Sequence, residues 1–536
     1  MIRTLTMLLL LLITINSYAQ EDAWVYLTDK PNTSAALSNP ISILTQKALD
    51  RKSRHGIVID DRDVPVHEPY IADLKTQTGI TVMAKSKWFN AVHVRGTETD
   101  ISALSTLAYV DGIDFANTSL ADLGFRSETV RDVIDIEDES IVFTYGDTQN
   151  QVEMINADDL HLDDFTGDGI TIAVMDSGFP NVNTMGAFQR LRDNGDLLDG
   201  YDFVNRNADV YANTASSHGT RVLSTMAAYI QDQYVGTAPD ASYYLFLTED
   251  VGSENPVEES YWVEAAERAD SLGVDMINTS LGYTEYDNAN YNYTPADMNG
   301  QTAFITKGAS IAAEKGILVV VSAGNSGAVA WQTVGAPADA PDVLSIGGVD
   351  ANGDHVVFSS QGGAAQVGYQ KPDVVARAGL AYVVDENNTI TQNNGTSFSA
   401  PIICGGMAAL WQSIPDASPT ALMDLVRQSA SQYTTPDDLL GYGIPDLALA
   451  RTLGIDNETM EHFDIYPNPV KERLYFNLAS DSEFKVTLFN HLGQEVLQTN
   501  VDTTSNVLNF EDLSSGVYLM KLSSASHSRT LKIIKQ

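Results

Sequence analysis

Ile170-Thr171-Ile172-Ala173-Val174-Met175-Asp176-Ser177-Gly178 is the stretch on which the fold turns. A short apolar run ends on an acid and a turn, with no polar alternation inside it. Tyr243-Tyr244-Leu245-Phe246-Leu247 and Ile317-Leu318-Val319-Val320-Val321 repeat the pattern. Runs of this kind are strands buried on both faces, as in parallel sheets. Between them the residues from Trp262 to Ala269 read as helix, followed by the short strand Met276-Ile277-Asn278. Strands alternating with helices predict an α/β unit, a parallel sheet flanked by helices. Ligands of such sheets gather at the carboxyl ends of the strands, so the residues after each run are the candidates for function.

Those residues carry chemistry. Asp176-Ser177-Gly178 follows the first run, and Ala323-Gly324-Asn325 follows the run ending at Val321. His218-Gly219-Thr220 opens a helical stretch from Arg221 to Tyr229. Gly395-Thr396-Ser397-Phe398-Ser399-Ala400-Pro401 leads into a helix of small residues, Ile402 to Leu410. A hydroxyl attacks a carbonyl only when a base takes its proton, and a carboxylate must orient that base and stabilise its cation. Asp176, His218 and Ser397 supply those roles, and the Asn325 amide can donate to an oxyanion. Each piece alone reads as a turn or a structural histidine; their conjunction at element boundaries points to catalysis. The other histidines of this unit fit less well. His161 precedes the first core strand and His355 sits in a turn, which leaves His218 as the base.

With these motifs the chain resembles the subtilisin-like serine proteases, from about Tyr145 to Leu453. Asn278-Thr279-Ser280-Leu281-Gly282 looks like the family's substrate-lining strand. Phe358-Ser359-Ser360-Gln361-Gly362, Lys371-Pro372-Asp373-Val374 and Gly441-Tyr442-Gly443 match further family segments. The resemblance implies that Asp176, His218 and Ser397 are the triad, and that Asn325 with the Ser397 backbone N–H forms the oxyanion hole. It implies Ser280, Leu281, Gly282 and Gly324 as substrate-binding positions, the first three pairing with an extended polypeptide as an added strand. No cofactor is required for such chemistry. Structural calcium is compatible with the family and with the acid surplus, but no ligand set is named. The cluster Asp163, Asp164, Asp168 with Gly167 and Gly169 lacks EF-hand spacing and reads as a solvated turn.

The flanks extend the expectation. Residues 1–19 read as a signal peptide, with Arg3, the run Met7 to Ile13 and a small-residue end at Ser17-Tyr18-Ala19. That run is shorter than the roughly 20 apolar residues a membrane span needs, and no later stretch approaches transmembrane length. Residues 20–120 form a small α+β unit with strands at Trp24–Leu27 and Phe89–Val94 and helices near Ile41–Leu49 and Ile101–Ala108. They resemble the family's propeptide, which implies an intramolecular inhibitor; a permanent accessory domain is the alternative. An acidic linker, 121–144, leads into the peptidase unit, 145–453, and a second linker, 454–463, leads out of it. Residues 464–536 alternate short strands as in a β-sandwich. With Ile465-Tyr466-Pro467-Asn468-Pro469 and the basic end Lys532-Ile533-Ile534-Lys535, they resemble the sorting domain of the type IX secretion system. That implies a secreted or surface protein of a Gram-negative bacterium of the Bacteroidetes group, with the secretion machinery as partner.

Composition sets limits on all of this. The 536 residues are 43% hydrophobic, which supports packed cores along the chain. Against 71 acids stand 31 bases, a formal charge of −40, and a surface so acidic repels nucleic acid. The single cysteine, Cys404, forms no internal disulfide and reads as a buried thiol. The expected activity is therefore that of a secreted serine endopeptidase made as a zymogen. A catalytically silent binding or adhesion protein on the same fold is the alternative. The polar aromatic stretch Tyr283 to Tyr293 is either a lid over the cleft or a surface loop.

Overall fold

The structure, a computed structural model, describes residues 20–120 and 143–458, and of the tail 463–478, 484–489, 495–502, 506–511, 513–514, 516–523 and 528–536. The expected signal peptide and nearly all of the acidic linker lie outside the described residues.

The N-terminal unit is an antiparallel sheet of β1 (Gln20–Leu27), β2 (Thr81–Ser86), β3 (Ala91–Thr97) and β4 (Val110–Phe115), in the order β2-β3-β1-β4. Its helices differ from the expected positions because side-chain caps decide where they start. Thr45 accepts from the Ala48 N–H and opens the helix Gln46–Arg54, while Pro40 begins a separate 3-10 turn. Thr97 caps Glu98–Ala103 in the same way, and a 3-10 turn at Leu104–Thr106 ends it.

The central unit carries a seven-stranded, all-parallel sheet. Its strands are β5 (Thr171–Asp176), β6 (Leu197–Asp202), β9 (Ser242–Leu247), β10 (Met276–Thr279), β11 (Leu318–Ser322), β12 (Leu344–Val349) and β13 (Val374–Arg377). A small hairpin, β7 (Tyr229–Ile230) and β8 (Tyr234–Val235), interrupts the series, so Tyr229 belongs to a strand and not to the preceding helix. The order is β13-β12-β11-β10-β5-β9-β6. From β5 the chain first builds outward on one side through β6 and β9, then crosses to β10 and builds on the other. That reversal places a crevice at the carboxyl ends of β5, β10 and β11. The register keeps those ends level, with Thr279 beside both Met175 and Val321.

The alternation of a strand explains why the runs are apolar throughout. Ile172 and Val174 face one core, shared with the helices His218–Ala227 and Thr396–Ser413. Ala173 and Met175 face the other, shared with Val257–Leu272 and Phe304–Glu314. Every residue of β5 is buried. Helices on both faces leave no side of the sheet for polar residues.

The helix Leu447–Glu458 runs past Leu453, so the stretch expected to be a linker begins as helix. The tail has two antiparallel sheets: Phe463–Tyr466, Arg473–Leu478 and Val507–Asn509 form one, and Phe484–Phe489, Glu495–Val501, Gly516–Ser523 and Ser528–Lys535 form the other. Leu474 and Phe476 from the first pack with Val486, Leu488, Met520 and Ile533 from the second, as in a β-sandwich.

Candidate active site

Asp176 is the last residue of β5 and has no exposed surface. Its Oδ1 accepts from the Ser177 N–H at 2.7 Å and from His218 Nδ1 at 2.8 Å. The acid thereby sets the imidazole tautomer, with the proton on Nδ1 and Nε2 left as the acceptor. His218 opens the helix His218–Ala227, whose next residue must be small. A Cβ on Gly219 would lie 2.6 Å from the Gly178 carbonyl oxygen, so only glycine lets the helix come this close to β5. Burial works against the His218 cation, but the Asp176 carboxylate outweighs it and holds the pKa above the ordinary imidazole value. Phe398 lies against the ring, with centroids 6.0 Å apart.

Ser397 lies in the first turn of the helix Thr396–Ser413, which starts earlier than the expected Ile402. Its hydroxyl donates to the Ser280 carbonyl at 3.4 Å, and its own carbonyl accepts from Ser280 Oγ at 2.9 Å. The serine is thus tied to the end of β10. The Ser397 N–H belongs to the first turn of a helix, where backbone donors have no intrahelical partner.

Asn325 completes the group. Its Oδ1 accepts from the Thr396 N–H at 2.9 Å and from Thr396 Oγ1 at 3.2 Å. A backbone N–H can only donate, so the carboxamide is fixed with its NH2 outward. A Cβ on Gly395 would sit 3.7 Å from both Asn325 Nδ2 and the Ser397 nitrogen, so two donors converge beside that glycine. Gly324, at φ +106, forms the turn that carries Asn325 off β11. Leu281 and Gly282 continue β10 as an open edge, since among the described residues their backbone groups enter no hydrogen bond; Tyr283 then bonds to Ala336. All eight expected site residues therefore lie at the carboxyl ends of β5, β10 and β11 or on the two helix starts facing them.

The sequence reading missed Thr396, whose side chain and N–H hold Asn325, although it lies inside the quoted Gly395–Pro401 motif. It also missed Glu249, which lines a cleft of about 840 Å³ with Asp202, Asp209 and Ala215. The stretch Tyr283 to Tyr293 is a surface loop tied down by its tyrosines. Tyr283 donates to Glu249 at 2.7 Å, Tyr286 and Tyr293 to Glu259 at 2.6 and 2.9 Å, and Tyr291 to Glu21 of the N-terminal unit at 3.1 Å.

Two acidic clusters bear on calcium. Asp163 is drawn to Arg451, and the Gly167 and Asp168 N–H groups donate to Gln412 Oε1, so the first cluster is a turn held by protein partners. In the second, Glu249, Glu254 and Glu258 bring carboxylate oxygens within 4.8 Å of one another. Both Glu258 oxygens already accept loop N–H groups, from Asp250 and Asn255. Burial and then neighbouring carboxylates hold Glu249 and Glu258 well above the usual carboxylate range. The first cluster is thus satisfied within the protein, while the carboxylates of the second lie close enough to share a cation.

Cys404 is buried and its thiol is pushed up by burial, so it is inert. No helix among the described residues is long and apolar enough to cross a membrane.

The family matches make the protein a serine endopeptidase. Residues 167–443 match the subtilase family, 22–132 match the peptidase S8 propeptide domain of Bacteroidota, and 464–536 match a secretion system C-terminal sorting domain. Subtilisin DY from Bacillus licheniformis is 28% identical over 282 residues, covering 52% of this chain and 90% of its own. Subtilisin E from Bacillus subtilis (strain 168) is 29% identical over 303 residues, covering 55% and 70%. A crystal structure of MycP1 with its N-terminal propeptide removed is 22% identical, with a TM-score of 0.45, covering 56% of this chain and 96% of that one. The chain belongs to the subtilase family. It is made with a propeptide and carries a sorting domain for secretion or cell-surface display in a Bacteroidota bacterium.

Proposed function

We propose that the protein hydrolyses polypeptides through an acyl-enzyme on Ser397. His218 takes the Ser397 proton as general base and returns it to the leaving amine as general acid. Asp176 orients His218 and stabilises its cation. Asn325 Nδ2 and the Ser397 N–H receive the oxyanion. Ser280, Leu281 and Gly282 pair with the substrate backbone, opposite Gly324. The observation that carries this reading is the 2.8 Å hydrogen bond from His218 Nδ1 to Asp176, made at the same sheet end as Ser397 and Asn325.

In the same reading residues 20–120 are the propeptide, with the processing site between Ala116 and Asn150, and 145–453 are the peptidase. Residues 464–536 are the part recognised by type IX secretion. The propeptide acts as an intramolecular inhibitor, and the chemistry needs no cofactor. The test is hydrolysis of an unfolded polypeptide by purified wild type and by Ser397→Ala. The proposal expects turnover in the first only, and equal turnover by the variant would refute it.

A further inference from the structure

The amino ends of the strands, opposite the catalytic residues, are covered by a segment of the N-terminal unit. Thr45 N–H donates to the Ser271 carbonyl at 3.0 Å. Arg51, in the helix that follows, reaches the Val274 carbonyl and Asp270, and Lys47 reaches Thr171 Oγ1 at the start of β5. Lys52 Nζ stands 2.8 Å from Asp270 and 3.1 Å from Asp63. From the peptidase side Lys315 Nζ answers at 2.8 Å from Asp60 and 2.9 Å from Asp63. The side chains of Arg51, Lys52 and Lys315 are 1% exposed and those of Asp63 and Asp270 are 0% exposed. Three cations and three carboxylates thus close a network across the boundary between the two units.

Its shape is as specific as its charge. Gly273 has φ +82, and a Cβ there would lie 2.5 Å from the Ala48 nitrogen, so the backbone of the segment rests directly on this turn. His55 packs against Trp411 with ring centroids 5.7 Å apart. A different surface of the N-terminal unit makes a separate contact. There Glu267 accepts the Lys87 and Trp88 N–H groups, both at 2.9 Å, and Trp24 stacks on Phe304 at 4.6 Å.

We propose that residues 45–64 are a clamp, a second anchor on the amino ends of β5, β10 and β11, which holds the N-terminal unit on the peptidase after the junction between them is cut. The reading rests on that junction being the processing site. One fragment held at two places leaves only when both open together, because the attached anchor keeps the other at high effective concentration. Truncating one side of a fully desolvated, hydrogen-bonded charge network acts on the off-rate.

The test uses the full chain in a Ser397→Ala background, with a site-specific protease sequence placed between residues 121 and 142. Its outcome therefore does not depend on self-processing. After the cut, retention of the N-terminal fragment is followed by size exclusion at high dilution. The clamp predicts co-elution, and release at least about 30-fold faster in Arg51→Ala/Lys52→Ala. Release unchanged by that pair of substitutions overturns it. Hydrogen exchange on the unsubstituted cut complex covers the case of a variant that does not fold. The Leu49, His55 and Ile57 amides, bonded to Thr45, Arg51 and Lys52 carbonyls, should stay as protected as those of β10. Exchange of these three amides at loop rates, with β3 still protected, overturns the clamp as well.

Discussion

The two ends of the central sheet carry the same kinds of groups to opposite purposes. At the amino ends, Arg51, Lys52, Lys315, Asp63 and Asp270 are sealed from water and bonded to one another. At the carboxyl ends the groups are fewer, and several face no protein partner. Asp176 Oδ2 is buried and unpaired, and among the described residues Asn325 Nδ2 and the Ser397 N–H donate to nothing. A closed network holds two units together, whereas a site needs hydrogen-bonding capacity left over for substrate. The amino end also buries atoms without a hydrogen bond, Arg51 Nε, Asp63 Oδ1 and Asp270 Oδ2, but inside a sealed ion-pair network; what sets the carboxyl end apart is free donors beside a histidine with one unengaged nitrogen.

The histidines repeat the contrast on a smaller scale. His161 places Nε2 on the Thr237 carbonyl at 3.1 Å and Nδ1 on the Tyr145 hydroxyl at 2.8 Å, so both nitrogens are engaged. Burial pushes its pKa down to about 4 and keeps it neutral. His218 uses only Nδ1, on a carboxylate, and its pKa moves the other way. Partner chemistry separates a structural imidazole from a base.

These contrasts can be broken by substitution, and the largest effects belong at the carboxyl ends. Ser397→Ala should lower kcat by about 10⁶, the loss seen when a subtilisin loses its serine or histidine. Asp176→Asn should cost about 10⁴ in kcat, because an amide imposes the wrong tautomer on His218. Asn325→Ala should cost about 10²–10³ in kcat with KM little changed, as for the equivalent donor of a subtilisin; a change confined to KM would contradict an oxyanion role.

The pH dependence sharpens the histidine comparison. In the proposed mechanism His218 works as a neutral base, so kcat/KM should fall as pH drops through its raised pKa, with a midpoint above the ordinary imidazole value of 6.5. In Asp176→Asn the residual activity should show that limb shifted to lower pH. His161 acts on stability instead. Its folded pKa is depressed, so the stability it contributes is present above 6.5 and is lost as pH falls towards 4. Urea midpoints across that window should decline in wild type and decline less in His161→Gln.

Legibility in the sequence followed the same physics. β5, β9 and β11 were readable because burial makes long stretches of them apolar, whereas β10 offered only Met276-Ile277 before the polar Asn278 and Thr279. β6 was not, since Leu-Leu-Asp-Gly-Tyr-Asp is an edge strand in which Asp199 is exposed and the residues around it are only half-buried. β12 was missed because of Gly347 and Gly348, where a Cβ would meet Pro372 and Ala378. The four residues of the proposed mechanism stand in short motifs at element ends, where local sequence is informative. Thr396 on Asn325, Tyr283 on Glu249 and the clamp on Asp270 join residues far apart in the chain, which no local pattern reports.

The central claim is that Ser397 is the nucleophile activated at this sheet end. Intact mass under denaturing conditions, with and without a fluorophosphonate probe, tests it directly on wild type freed of its N-terminal unit and on Ser397→Ala treated alike. One adduct, mapped to Ser397 and absent from the variant, is the predicted result. An adduct that persists in Ser397→Ala, or a wild type that hydrolyses polypeptide yet takes no label, would contradict the account.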